Sequence, residues 1–461
     1  MRFNIIRYLD ALFLLMRSNF LLVALLLLLA TGCIKKDSGL PSATPVPPGC
    51  ASLVSPAANS FVTSTSVVLS WSTVAQASAY DVMLGTSPGN AVAVATGVTG
   101  NTHTINIVPT PNVTYFWYVI PRNSTGASTG CSSTARSFTF ISIQSPPSLG
   151  YYVVGYFPSY RPVAEVPDIK FKMTNVVIYA FYQVNSTGSL APPTSNTASL
   201  SVVANKAKTN NAKIFLGIND GSGDGKTHFK NMAATPAGRT NFIREVMSVV
   251  RTQQLDGVDM DWEFPTTSDG TDITFTALMN ELADSLHRDG RYYLSCAITA
   301  GKYAGGIRDA IRNQLFSVVD FFNIMAYDDF STTIPYRHHS DFALAQTCLQ
   351  YWITTRGMPA AKAVLGVPAY GRPSGITQTN TVLSYRAILA QGGNAQLDSA
   401  IVSSGSFANY TIYYNGQYTV KRKAKLAKDI AGGVMFWEKW QDAPDANSLL
   451  KAACDTVGRT Y

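Results

Sequence analysis

Eight apolar, β-rich runs separated by stretches of helical character occupy residues 151–461, and they constrain the fold more tightly than any other feature. They fall at 151–157, 175–182, 213–218, 255–263, 292–298, 319–327, 363–370 and 433–437. Strands that alternate with helices predict parallel pairing. Eight of them in 311 residues have the length and rhythm of a (β/α)8 TIM barrel, an α/β fold, with one insertion. Such a barrel gathers its chemistry at the C-terminal ends of the strands.

The fourth run reads Leu255-Asp256-Gly257-Val258-Asp259-Met260-Asp261-Trp262-Glu263-Phe264-Pro265. Asp259, Asp261 and Glu263 alternate with Val258, Met260 and Trp262. On a strand this places three carboxyl groups on one face and the apolar side chains on the other. Acids about 6.5 Å apart along one edge cannot all ionise cheaply where water is scarce, so at least one holds a proton near neutral pH. A protonated acid beside ionised ones is the equipment for cleaving a glycosidic bond. The alternative is an exposed strand with an acidic outer face, and the depletion of Asp and Glu from strands argues against it. Asp256 lies off the period and reads as structural. Trp262 points away from Glu263 and reads as core.

On these residues the chain resembles glycoside hydrolase family 18, the chitinases and related endo-β-N-acetylglucosaminidases. Asp256-x-x-Asp259-x-Asp261-x-Glu263 is similar to the family signature, and Trp262 with Phe264-Pro265 resembles the chitinase branch. The resemblance extends over 151–461. Asn323-Ile324-Met325-Ala326-Tyr327-Asp328, Gly366-Val367-Pro368-Ala369-Tyr370-Gly371-Arg372 and Gly432-Gly433-Val434-Met435-Phe436-Trp437 resemble the sixth, seventh and eighth strands. It implies a hydrolase of β-1,4-linked N-acetylglucosamine polymers or oligomers, retaining and substrate-assisted. Glu263 is then the general acid/base. Asp261 orients the acetamido group and shares a proton with Asp259, and Tyr327 hydrogen-bonds the acetamido oxygen. Tyr156, Phe181, Met325, Asp328, Tyr370, Arg372 and Trp437 bind the sugar, with Trp437 as the floor. An endoglycosidase of glycoprotein glycans and a non-catalytic surface glycan-binding protein are the other readings. After the third strand the family has Ser-x-Gly-Gly and an aromatic, whereas this chain has Gly217-Ile218-Asn219-Asp220-Gly221-Ser222-Gly223. The missing aromatic puts product-side stacking in doubt and favours soluble oligomers over crystalline chitin. Asp220 and Asp224 either make polar contacts or stabilise a glycine-rich turn.

Residues 373–431 form a small α+β insertion between the last two strands. Tyr410 to Tyr414 and Gln417 to Val420 read as a hairpin around Asn415-Gly416, a type I′ turn pair. Its small size suggests a low cleft wall.

Upstream, Arg17 precedes an apolar run over 20–30 and then Thr31-Gly32-Cys33. That run is short for a membrane span and suits a signal segment. Small residues before a cysteine resemble the bacterial lipoprotein signal, which implies lipidation of Cys33. Residues 1–33 are therefore expected to be a signal and lipobox, with a more compact signal if translation starts at Met16. Residues 34–48 read as a flexible tether. From 49 to 142, short alternating strands (Val67, Leu69, Trp71; Tyr80, Val82, Leu84; Tyr115, Trp117, Val119) separated by turns predict an all-β sandwich. It resembles a fibronectin type III module and reads as a spacer. Residues 143–150 form a second linker, and 151–461 the catalytic barrel. Cys50 and Cys131 bracket the sandwich and are placed to pair in an oxidising compartment. Cys296, Cys348 and Cys454 read as buried free thiols.

The net charge of +8 includes +2 from residues 1–32, and Lys421-Arg422-Lys423 is the one basic block beyond them. That trio reads as a solvated helix face, so nucleic acid is not an expected partner. The five histidines are scattered and suggest no metal site. His338-His339 reads as a solvated loop pair, and no cofactor is implied. The expected protein is monomeric, exported and lipid-anchored to a bacterial membrane, at the outer membrane or cell surface.

Overall fold

The computed structural model of the protein describes residues 46–461 apart from 109, 111, 112, 142–145 and 196. The expected signal with Cys33, and most of the tether, lie outside the described residues. Among the described residues no helix is long and apolar enough to cross a membrane. The chain divides into two compact units. One takes in residues up to 138 apart from 61–65 and 108–113; the other takes in 139–461 and those two short segments.

Up to residue 141 short strands form two sheets. Leu53–Ser55, Ser66–Trp71 and Thr102–Asn106 make an antiparallel three-stranded sheet. The other runs Ser60–Val62, Arg136–Phe140, Val113–Asn123, Ala79–Gly85, Val92–Val98, with Gly126–Ala127 added to Val113–Asn123. Period-2 alternation buries Val67, Leu69 and Trp71 from one sheet and Tyr80, Val82, Trp117 and Val119 from the other. The Trp71 and Tyr80 rings meet at 5.5 Å. Cys50 and Cys131 are disulfide-bonded, with Cα atoms 5.4 Å apart.

In the second unit eight parallel strands close into a barrel. They are Tyr152–Pro158, Val176–Val184, Lys213–Asp220, Gly257–Asp261, Tyr293–Thr299, Phe321–Met325, Ala363–Pro368 and Gly433–Trp437. Each pairs with its sequence neighbours, and the first pairs with both the second and the eighth. Alternation sorts the side chains into two cores. Tyr152, Val154, Tyr156, Ile178, Phe215, Phe321 and Met435 fill the barrel interior. Val153, Phe157, Val258, Met260 and Trp262 join the layer facing the helices. Trp262 stacks on Phe229 at 5.0 Å and meets Phe275 edge-on at 5.5 Å, so it is core. Asp256 accepts from Lys213 Nζ at 2.8 Å and the Ile214 amide at 3.0 Å, a structural tie at the entry of the strand. Cys296, Cys348 and Cys454 are buried free thiols.

Two expectations for the insertion are corrected. The strand Phe407–Tyr413 pairs with Ser399–Ser404, not with the segment after Gly416. Gln417–Ile430 is a helix whose buried face carries Val420, Ala424 and Ala427, a helical spacing that outweighs the local turn signal. Gly416 has φ −78°, so the positive-φ pair of a type I′ turn is not formed. Within the basic trio, Lys421 and Arg422 are exposed but Lys423 is fully buried. Its Nζ donates to the Ser340 carbonyl at 2.6 Å and hydroxyl at 2.8 Å.

Burial without a carboxylate in contact pushes Lys423 and Lys439 each down to about 7. A lysine whose folded pKa lies below its unfolded value stabilises the protein fully only above the unfolded pKa. That stability is lost as pH falls toward the folded pKa. The melting temperature is therefore expected to climb between pH 7 and about 9.5, with Lys423→Met removing about half the slope. A pH-independent melting temperature over that window, read by calorimetry, contradicts this.

Candidate active site

The deepest carboxylate is Asp259, fully buried inside the barrel. It accepts from the Tyr156 hydroxyl at 2.7 Å, the Ser295 hydroxyl at 2.6 Å and the Asn323 amide at 3.1 Å. These donors come from the first, fifth and sixth strands. Register sets Gly217 and Ser295 on either side of Asp259. A Cβ at Gly217 would stand 2.8 Å from the Tyr179 carbonyl, so the hydroxyl arrives from Ser295. Burial raises the Asp259 pKa, while the three donors oppose that by favouring the charged form.

Asp261 faces the same interior one step nearer the mouth, and its Oδ1 has no hydrogen-bond partner among the described residues. Burial, then repulsion from Glu263 and Asp259, hold its pKa well above the usual carboxylate range. Three donors thus favour the charged form of Asp259, while burial and two acid neighbours favour the neutral form of Asp261. Glu263 lies just past the strand end. Its side chain is reached by solvent through the cavity, yet the surrounding walls remove much of its water. That burial, then the Asp328 charge, raises its pKa as well. Tyr327 is held as a neutral hydroxyl by burial and the nearby acids.

Asp328 behaves differently. Burial acts to raise its pKa, but His339, the Tyr370 hydroxyl and Arg372 outweigh that and lower it. Its Oδ1 accepts from Tyr370 Oη at 2.7 Å and lies 3.3 Å from Arg372 Nη1 and 3.5 Å from His339 Nδ1, which accepts from the Asp328 amide at 3.4 Å. The solvated-loop reading of His338-His339 is thus corrected. His339 is fully buried, its ring lies parallel to that of His338 at 5.6 Å, and His338 Nε2 contacts the Tyr414 carbonyl at 2.6 Å. The reason is tertiary, since the buried Lys423 holds the adjoining Ser340. Burial keeps both imidazoles neutral, with His338 pushed down to about 4.

These groups open into a cavity of about 720 Å³. Tyr156, Phe181, Asp261, Glu263, Met325, Tyr327, Asp328, Tyr370 and Trp437 all line it, drawn from the ends of six strands. Trp437 stacks on Phe181 at 5.8 Å and meets Tyr156 edge-on at 5.3 Å, which fixes the indole. Arg372 does not line the cavity; it grips Asp328 and lies 4.0 Å over the Phe330 ring. Apart from Leu344, which comes from the helix Phe342–Leu349, the lining residues come from strand ends and their loops, and none from 373–431.

Sequence reasoning missed Phe264, Tyr303 and Phe330 as lining aromatics, and Lys302, Asp329 and Arg337 as a charged group on the wall. Asp329 is held by Lys302 and Tyr303, and by Arg337 at 3.4 Å. Asp220 accepts from the Ser222 and Phe229 amides, each at 2.7 Å, and Asp224 from the Thr227 amide at 2.9 Å. Both acids therefore stabilise the glycine-rich turn, and Asp220 also borders the cavity. The arrangement can deliver a proton from Glu263 to an oxygen lying over the indole.

Residues 152–442 match the pattern of glycosyl hydrolases family 18. The chain is 26% identical to mouse chitotriosidase-1 over 317 residues, spanning 59% of this chain and 67% of that protein. It is 27% identical to an Arabidopsis thaliana class V chitinase over 334 residues, 63% of this chain and 86% of the other. A chitinase structure from Bacteroides thetaiotaomicron superposes with TM-score 0.57 at 23% identity, covering 67% of this chain and 97% of that one, a likeness of fold. The family 18 chitinase ChiB of Flavobacterium johnsoniae gives TM-score 0.55 at 25% identity, with coverage of 67% and 94%. On the match over 152–442 and the barrel that carries it, the chain belongs to glycosyl hydrolases family 18 and is a glycoside hydrolase.

Proposed function

We propose that the chain cleaves β-1,4-linked N-acetylglucosamine chains with retention of the anomeric configuration, using the substrate's own acetamido group as nucleophile. The observation that carries this reading is the state of Asp261. A retaining glycosidase of the ordinary kind needs an ionised carboxylate beside its acid. Here Asp261 is buried with its pKa held well above the usual carboxylate range, which disfavours the anion a nucleophile needs, and the other cavity carboxyl, Asp328, is committed to Tyr370, Arg372 and His339.

Glu263 gives its proton to the glycosidic oxygen as the C1–O bond breaks. The acetamido carbonyl oxygen attacks C1 and closes an oxazolinium ring. Asp261 orients the acetamido N–H, and Tyr327 donates to the acetamido oxygen. Water then opens the ring, losing its proton to Glu263. Asp259 serves as the anionic partner of Asp261. The face of Trp437 suits the C–H face of a pyranose and excludes water. Asp328, aligned by Tyr370, Arg372 and His339, takes a sugar hydroxyl, and Met325 packs beside it.

Incubation with chitooligosaccharides and, separately, with a high-mannose glycoprotein tests the substrate. Cleavage of the oligomers is expected. Release of glycans alone would make the chain an endoglycosidase, and binding without cleavage of either a glycan-binding protein.

The same reading places the enzyme outside the cytoplasm, monomeric, held to a membrane by lipid on Cys33, with the N-terminal strands as a fibronectin type III-like spacer. The short apolar run and Thr31-Gly32-Cys33 support the export and the lipid anchor. Cys33→Ser should move the protein from the membrane to the soluble fraction or leave it unprocessed. An unchanged membrane fraction and precursor mass rule the anchor out.

A further inference from the structure

The third strand departs from Ser-x-Gly-Gly at a position that faces the acids. Asn219 carries an amide where that pattern has backbone alone. The parallel ladder registers Asn219 with Asp261, on strands about 4.8 Å apart. Both residues line the cavity. Asn219 Oδ1 and Asp261 Oδ1 are each buried, and neither has a hydrogen-bond partner among the described residues. Two neighbouring bare acceptors in one wall are costly unless one of them carries a proton. Asp259 already takes three donors, so the proton sits on Asp261.

We propose that Asn219 is a positioning residue for Asp261, its side-chain oxygen accepting a hydrogen bond from the protonated carboxyl in the resting site. This rests on the role given to Asp261 above. The amide oxygen favours the protonated form of Asp261 by accepting from it, which glycine cannot do. The groups within electrostatic reach of Asp261 are Asp259 and Glu263 on its own segment, Tyr156 from the first strand, Cys296 from the fifth and Tyr327 from the end of the sixth. All of them are unchanged in the variants that follow.

The test is a carboxyl-carbon NMR titration of the full chain, with ¹³C-labelled aspartate and the Asp261 signal assigned by its loss in Asp261→Asn. Asn219→Gly removes the acceptor for the protonated form, so the Asp261 midpoint should fall by about half to one pH unit, the scale of one neutral hydrogen bond. Asn219→Ala reads the same loss if glycine loosens the strand. Asn219→Asp keeps the shape and adds like charge, so the midpoint should rise. Opposite shifts support the assignment. A midpoint unmoved in both, or moved the same way in both, overturns it. The measurement needs no turnover, so a failure to cleave N-acetylglucosamine oligomers counts against the proposed function and leaves this result readable.

Discussion

Glu263→Gln is expected to lower turnover of chitooligosaccharides by on the order of 10²–10⁴, with KM little changed. The amide keeps the shape of the side chain and its place on the cavity wall but has no proton to give. The substrate contacts proposed for Trp437, Phe181 and Asp328 are untouched, so the loss should fall on the chemical step. The pH profile adds a second readout. Glu263 must be protonated to act, and its pKa is raised by burial and then by the Asp328 charge. Activity should therefore persist above the usual carboxylate range and fade as pH rises through the raised value. Asp328→Asn removes the repulsion and should move that alkaline limb to lower pH. Near-normal turnover in Glu263→Gln would take the proton-donor role away from Glu263.

The barrel was legible because each of its strands carries its own signal. Alternation along 257–263 states which side chains face inward, and Val258, Met260 and Trp262 on the helix side against Asp259 on the interior follow that parity. Strand ends were legible as site positions for the same reason, and Tyr156, Met325, Tyr327, Tyr370 and Trp437 meet at one cavity. What escaped the sequence depends on partners far along the chain. His339 looks like loop solvent until Asp328 and Tyr370 close over it. Lys423 looks like a solvated helix face until Ser340, 83 residues away, supplies its acceptors. Arg372 looked like a sugar contact because it ends a strand segment, yet its guanidinium is committed to Asp328. The Asn415-Gly416 turn signal failed for a related reason. Its strength is local, whereas the packing of Val420, Ala424 and Ala427 recruits the whole of Gln417–Ile430 into a helix.

Buried charge also explains why two of the acids divide their labour. Donors from three strands favour the charged form of Asp259 against the burial that raises its pKa, so losing any one of them weakens its hold on that charge. Asp261 has no such donors among the described residues, and burial beside Glu263 and Asp259 favours its neutral form.

Removing the acetamido group from the substrate should stop the reaction. A nucleophile tethered within the substrate acts at an effective concentration on the order of 10⁵–10⁸ M, which no bulk water in the cavity replaces. Cellooligosaccharides share the β-1,4 linkage and the apolar face that Trp437 would stack against, so they still fit the cavity. Their kcat/KM should nonetheless lie at least about 10³-fold below that of chitooligosaccharides. Asp261→Asn should lower turnover of chitooligosaccharides by about 10²–10³-fold, because an amide cannot pass a proton or take up the charge that steadies the ring as it closes. That variant should retain affinity for a non-hydrolysed oligomer, since Asp328 and the aromatic floor are intact. The product anomer, read by NMR at early times, should match the substrate. Efficient cleavage of cellooligosaccharides, or a sugar trapped covalently on an aspartate or on Glu263 and seen by mass spectrometry, would return the nucleophile to the protein and sink the substrate-assisted mechanism.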